Sequence, residues 1–150
     1  MKLLVPPPVQ ALLAGLAMWG MARIAPALSF AFPGQRPAAI ALAAAGLTVD
    51  LIALAAFRRA KTTINPMRPG KTSALVAEGL YRYSRNPMYV GALLVLTGWA
   101  AWLGNPLNLA VLAVFVVAIT ELQIKPEEAM LRETFGAEYV AYAKRVRRWL

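Results

Sequence analysis

The sequence predicts an all-α integral membrane protein with four transmembrane helices. Three observations carry that prediction. Hydrophobic residues fill 59% of the 150 positions and charged residues 15%, whereas soluble domains run roughly 45–50% apolar and about 25% charged. The charges fall in blocks, leaving apolar runs near the length of about 20 residues that a helix needs to cross hydrocarbon. Lysine and arginine also collect on one side of the topology those runs define. The length allows one domain, residues 1–150.

The first span is expected at 9–28, with Arg23 and Pro26 near its far end. Pro6, Pro7 and Pro8 open it, and "GLAMWG" is a poor cleavage site, so it is expected to be retained rather than removed as a signal peptide. "SFAFPGQRP" (29–37) breaks the pattern. The second span, 38–57, carries a single charge, Asp50. A polar, proline-punctuated segment follows at 58–87. The third span is expected at 88–103 and the fourth at 109–124, joined by the tight turn "GNPLN". So short a turn makes them an antiparallel helical hairpin, with Trp99 and Trp102 at its closed end as an interfacial belt. Beyond 124, Pro126 is expected to open a new helix, with Glu127 and Glu128 in its first turn as the helix dipole favours. Gly136 should end it. A last helix over 137–150 would put Tyr139, Tyr142, Val146 and Trp149 on one face.

Fourteen of the sixteen lysines and arginines lie at the N-terminus, in 58–87 or after 124; only Arg23 and Arg36 fall on the other side. The positive-inside rule then puts both termini in the cytoplasm, in the inner or plasma membrane of a prokaryote. It also turns the net charge of +9 away from nucleic acid and toward anionic lipid headgroups, at about 1 kcal/mol per basic residue near the surface. The absence of cysteine and histidine excludes thiolate nucleophiles, serine–histidine triads and the usual metal ligands. No metal is expected.

The chemistry should reside in two segments on the cytoplasmic face, 75–91 and 125–149. The first offers Arg82, Arg85, Asn86 and Tyr89 at a span entrance, with Pro87 able to start the third helix. The second offers Glu127 and Glu128. From residue types alone a zwitterionic ligand suits this mixture. The bland alternative is an ion pair between Arg85 and one glutamate that staples loop to tail.

"GLYRYSRNPMYVG" followed by a hairpin and "PEEAMLRETFGAEYVAYAKRVRRWL" resembles the isoprenylcysteine carboxyl methyltransferase-like family, which is related to the phospholipid methyltransferases. Its pattern is Gly-x-Tyr-x-x-x-Arg-His-Pro-x-Tyr-x-Gly, then Glu-Glu, then Phe-Gly-x-x-Tyr-x-x-Tyr. Gly79, Tyr81, Arg85, Pro87, Tyr89, Gly91, Glu127, Glu128, Phe135, Gly136, Tyr139 and Tyr142 match it. The likeness covers about 60–150.

The resemblance implies methyl transfer from S-adenosylmethionine to a lipophilic acceptor that enters from the bilayer and carries a carboxylate, amine or thiol. It assigns Tyr81, Arg85, Asn86, Pro87, Tyr89 and Gly91 to the cofactor wall. Glu127 and Glu128 would meet the cofactor's amino group or ribose hydroxyls, and Tyr139 its adenine or the tail's own packing. Arg85, Asn86 and Glu128 are the expected catalytic residues. The family histidine is Asn86 here, and an amide takes no proton near pH 7, so its part becomes positioning. An NADPH-dependent membrane reductase and a four-span transporter are the alternatives.

Asp50 is an ionisable group in mid-span, by default a functional hypothesis, with Arg23 as its one possible cation. "TTINPMRPGK" (62–71) is expected to be loop and could cover the site as a lid.

Overall fold

The computed structural model describes residues 5–60 and 74–150; the suggested lid over 62–71 falls outside them. The described residues are helical: α1 (Pro7–Ile24), α2 (Gln35–Arg59), α3 (Pro87–Leu103), α4 (Asn108–Ile119) and α5 (Lys125–Arg145). An all-α fold is thus the observed class. Each of the four expected spans coincides with a helix. Two helical runs are long and apolar enough by themselves to cross a membrane, Gln35–Arg59 and Asn108–Arg145.

Prolines set several starts. Pro7 and Pro87 sit in the first turns of α1 and α3, where a missing N–H removes no helical hydrogen bond. Gly104 closes α3 in the left-handed region (φ 62°), the usual C-terminal device of a helix. A Cβ there would also collide with the Phe30 carbonyl oxygen.

Pro126 behaves differently from expectation. It opens no separate helix, because α4 runs through a π-helical turn, Thr120–Ile124, directly into α5. A proline ring has no N–H and crowds the carbonyl four residues earlier. A widened turn just before it relieves that crowding without breaking the rod. Gly136 (φ 51°, ψ −123°) is a corner within α5 rather than its end. The helix stops at Arg145, so the last five residues are not helical as expected. Instead Arg147 pairs with Ser84 in an isolated parallel bridge.

The helix pair α2–α3 is the most closely packed in the bundle. Glycines make that possible: a Cβ on Gly46 would lie 2.5 Å from the Gly91 carbonyl oxygen, and one on Gly98 2.7 Å from that of Ala39. Small residues at such crossings let backbones approach where lipid supplies no hydrophobic drive between helices. The far end of the bundle is tied by Gln35 Nε2 donating to Ala101 O (2.7 Å) and Asn105 Nδ2 to Ala25 O (2.9 Å). Both arginines of the sparse side cap tryptophans there, Arg23 over Trp19 at 5.2 Å and Arg36 over Trp102 at 5.6 Å. The expected Arg23–Asp50 pair therefore does not form.

Outward faces are apolar. Only 11% of the most apolar stretch of α2 is buried within the molecule, whereas a core helix of a soluble protein would be mostly covered. Leu12, Leu47, Leu51, Leu109 and Val117 all project outward. Exposed apolar area of this extent belongs in hydrocarbon, and the chain is a membrane protein.

Candidate functional site

The two polar segments meet at the end of the bundle that carries the C-terminus. Tyr81 lies on a short 3₁₀ turn, Gly79–Arg82, and is buried with its ring edge-on to Phe57 at 5.5 Å. Its carbonyl accepts from the Tyr142 hydroxyl at 2.8 Å. Tyr139, Tyr142 and Val146 form a small buried cluster against Leu75, Leu131 and Phe135. The aromatic face of the tail thus packs on its own bundle.

Arg85 is the hub. Its Nη1 donates to the carbonyls of Ala143 (2.9 Å) and Val146 (3.0 Å), and its Nη2 pairs with Glu128 Oε1 at 2.7 Å. The guanidinium thereby satisfies carbonyls at the end of α5, which would otherwise lack partners. Arg148 holds the same carboxylate from the other side, Nη2 to Oε2 at 2.7 Å and Nε to Oε1 at 3.0 Å. Asn86 Nδ2 donates to Arg148 O at 2.9 Å. Arg85, Asn86 and Glu128 therefore form one clamp on the C-terminal segment.

Glu127 and Glu128 are neighbours with separate fates. Glu127 points inward and accepts from the Tyr89 hydroxyl (2.9 Å) and Gln123 Nε2 (2.7 Å), with no cation against it among the described residues. Burial pushes its carboxyl above the usual range, against the lowering effect of those two hydrogen bonds. Burial pushes Glu128 up as well, but hydrogen bonds and charge from Arg148 and Arg85 outweigh it and hold the carboxyl below the usual range.

This difference fixes a pH dependence. Glu128 is lowered on folding, so its contribution is complete above the ordinary value of 4.5 and is lost as pH falls through the lower folded value. Glu127 acts with the opposite sign and at higher pH. We expect thermal stability measured against pH to fall below about 4.5, and Glu128→Gln to flatten that limb.

A cavity of about 810 Å³ opens beside the clamp. One end is lined by Arg85, Asn86, Tyr89, Gln123, Glu127 and Glu128, the other by helix faces that include Val95, Leu96 and Phe115. Leu12 of α1 and Leu47 and Leu51 of α2 also line it while remaining 61%, 57% and 67% exposed. The cavity therefore opens sideways between α1 and α2, and α1 packs on α3 and α4 instead.

Of the expected site residues, Tyr81, Arg85, Asn86, Tyr89, Glu127, Glu128 and Tyr139 line this cavity. Pro87 and Gly91 do not. Pro87 is buried where it starts α3, and Gly91 lies in the α2–α3 crossing. Two contributors were not singled out by sequence reasoning. Arg148 stood as one of many basic tail residues, and Gln123 had only its spacing of four from Glu127 as a signal.

The phospholipid methyltransferase family model matches residues 35–138, from the start of α2 into α5. An uncharacterized protein of Haemophilus influenzae is 44% identical over 63 residues, 42% of this chain and all of its own length. Protein-S-isoprenylcysteine O-methyltransferase B of Arabidopsis thaliana is 36% identical over 59% of this chain and 45% of its own. The enzyme named protein-S-isoprenylcysteine O-methyltransferase in Schizosaccharomyces pombe is 34% identical over 51% of this chain and 32% of its own. The chain thus spans less than half the length of these two named methyltransferases. No solved structure matches it. With the family match covering more than half of the chain, the chain belongs to the phospholipid methyltransferase family, in its isoprenylcysteine carboxyl methyltransferase-like group.

Proposed function

We propose that the protein transfers a methyl group from S-adenosylmethionine to a lipophilic acceptor drawn from the membrane. One observation carries this reading: a single cavity joins a polar end of carboxylates, amides and tyrosines to an apolar end that opens sideways between α1 and α2. The polar end suits the cofactor. Among the described residues, Glu127 is a half-buried carboxylate without a cation, and Gln123 Oε1 beside it is a buried acceptor without a donor. An ammonium group or ribose hydroxyls would satisfy both. Arg85 is the one arginine among the described residues that lines the cavity, and it is engaged by Glu128 and two carbonyls. That leaves little to hold the extra phosphate of a nicotinamide dinucleotide.

When bound, S-adenosylmethionine supplies a methyl group already activated by its sulfonium. The chain's task is then alignment and exclusion of water rather than strong base catalysis. Asn86 fits that task, since its amide is fixed on the Arg148 carbonyl. The clamp around Glu128 holds the C-terminal segment as one wall, and Tyr89 keeps the Glu127 carboxylate turned into the chamber. The apolar walls take the acceptor's hydrocarbon part.

In this reading α1, α2, α3 and α4 with its π turn span the bilayer, with both termini and the polar end of the cavity on the cytoplasmic side of a prokaryotic plasma membrane. Exposed Arg58, Arg59, Arg82, Lys144 and Arg147 form a basic collar there, for anionic headgroups.

Calorimetry of S-adenosylmethionine on the purified protein tests the proposal. Binding is expected for the wild type, and Glu127→Ala should weaken it about tenfold or more, the worth of a hydrogen bond to a charged group. Absence of binding by the wild type would overturn the reading.

A further inference from the structure

A second groove lies outside the chamber, where α1 meets α3. Ala11, Leu12, Gly15, Leu16 and Trp19 of α1 and Trp99 of α3 line about 480 Å³ of it. Gly15 has no side chain to fill the space, and Trp99 Nε1 donates to its carbonyl at 3.0 Å, which fixes the indole as one wall. Leu12, Leu16 and Trp19 are exposed, so the groove faces the hydrocarbon around the bundle. It follows α1 from Ala11 to Trp19, roughly 12 Å at the rise of an α-helix. Its mean section is therefore on the order of 40 Å², half that of a helix some 10 Å across. One alkyl chain laid along α1 suits such a groove, and a helix of a second copy does not.

A cation stands at the end of the groove away from the clamp. Arg23, one turn beyond Trp19, holds its guanidinium over the Trp19 ring at 5.2 Å. A guanidinium held over a ring keeps N–H donors for an anion, and its fork matches a phosphate. No carboxylate competes for them. Arg23 forms no ion pair among the described residues. None of the chain's seven acids falls within 1–49 or 79–120, and residues 1–4 and 61–73, outside the description, contain none. Arg36, the other cation at that end, lies over Trp102, which does not line the groove.

We propose that the groove binds a phospholipid, with one acyl chain along α1 between Leu12 and Trp99 and the phosphate on Arg23. This lipid is not the methyl acceptor, because its phosphate lies at the end of the bundle opposite Glu127 and Glu128. The site stands whether or not the chamber transfers methyl groups. Ala11 and Leu12 line both groove and chamber, so the tip of the bound chain forms part of the lip of the chamber's side opening. Lipid tails are as apolar as leucine, so an acyl chain gains no hydrophobic free energy on leaving the bilayer for the groove. The contact between phosphate and guanidinium decides which lipid stays.

Native mass spectrometry of the full chain in dodecylmaltoside, titrated with dioleoyl phosphatidylglycerol or with dioleoylglycerol, tests the site. The wild type should hold its first phosphatidylglycerol about tenfold more tightly than dioleoylglycerol, as hydrogen bonds to a charged group imply. Arg23→Gln, at an exposed position, should abolish that preference. Gly15→Leu, whose side chain would occupy the groove, should lose the first lipid of either kind. Leu13→Ala, exposed on α1 but outside the groove, should change neither. Equal retention of the two lipids by the wild type would overturn the proposal, as would an unchanged preference in Arg23→Gln. A dimer that Gly15→Leu dissociates would also overturn it, by giving the groove to a second copy of the chain.

Discussion

Arg85→Ala is expected to release the C-terminal segment and destabilise the protein by about 3 kcal/mol, the lower end of what removing one partner of a buried ion pair costs. Arg85 and Glu128 are each only 13% exposed, so solvent screens the pair little. The substitution also strands two carbonyls at the end of α5, which Arg85 binds at 2.9 and 3.0 Å. Two contacts temper the loss. Arg148 still holds Glu128, and the Arg85 backbone N–H still donates to the Arg147 carbonyl at 2.9 Å. Arg85→Lys keeps the charge but not the planar fork, and one ammonium cannot serve three acceptors placed for a guanidinium. It should recover less than half of the lost stability. Unfolding in detergent micelles measures the energy, and limited proteolysis after Ala143 reports the release. An Arg85→Ala protein as stable and protease-resistant as the wild type would show that the clamp does not hold the tail.

Gly46→Ala and Gly98→Ala form the second large effect, about 1–3 kcal/mol each, as overpacking of a close contact generally costs. The added methyl on residue 46 would lie 2.5 Å from the Gly91 carbonyl oxygen and 2.9 Å from the Val95 nitrogen; on residue 98 it would lie 2.7 Å from the Ala39 oxygen. These are backbone atoms, which move only if the helices part. Separation would also shift Asp50 away from Gly91 and open the chamber wall, so binding should fall along with stability. Gly20→Ala in α1 is the control, since nothing lies within 4 Å of its added methyl. It should be neutral or slightly stabilising, because alanine favours a helix interior more than glycine does. Apparent melting temperatures of the three variants in one detergent decide the matter. Equal values for all three would mean that α2 and α3 do not approach as closely as described.

The helices were legible because hydropathy and proline are strong local signals. Runs bounded by "SFAFPGQRP" and "GNPLN" become α1, α2 and the hairpin pair with their ends displaced by a few residues. The meeting of Arg85, Asn86 and Tyr89 with Glu127 and Glu128 was legible from the order of two motif blocks across a short turn. Partner choice within that meeting was not. Which glutamate Arg85 takes depends on where α5 points after the π turn, and no local pattern records that. Arg148 reads as one more basic tail residue until the chain past Arg145 leaves the helix and pairs with Ser84. Gly91 belongs to the motif, yet its position is set by the α2–α3 crossing. Pro126 misled because the first turn of a new helix and a π turn inside a continuing one both tolerate a proline.

The π turn at Thr120–Ile124 has a consequence for how the rod from α4 to α5 serves two solvents. Each residue of an α-helix advances the side-chain direction by about 100°, so one extra residue in a turn resets the phase of everything beyond it. Before the turn, Val114 and Val117 face outward to hydrocarbon; after it, Glu127 and Glu128 face the chamber. The two halves are one rod mechanically but two independent dials rotationally. The lipid-facing half can be rewritten in sequence without turning the acids, provided the count of residues between them is kept.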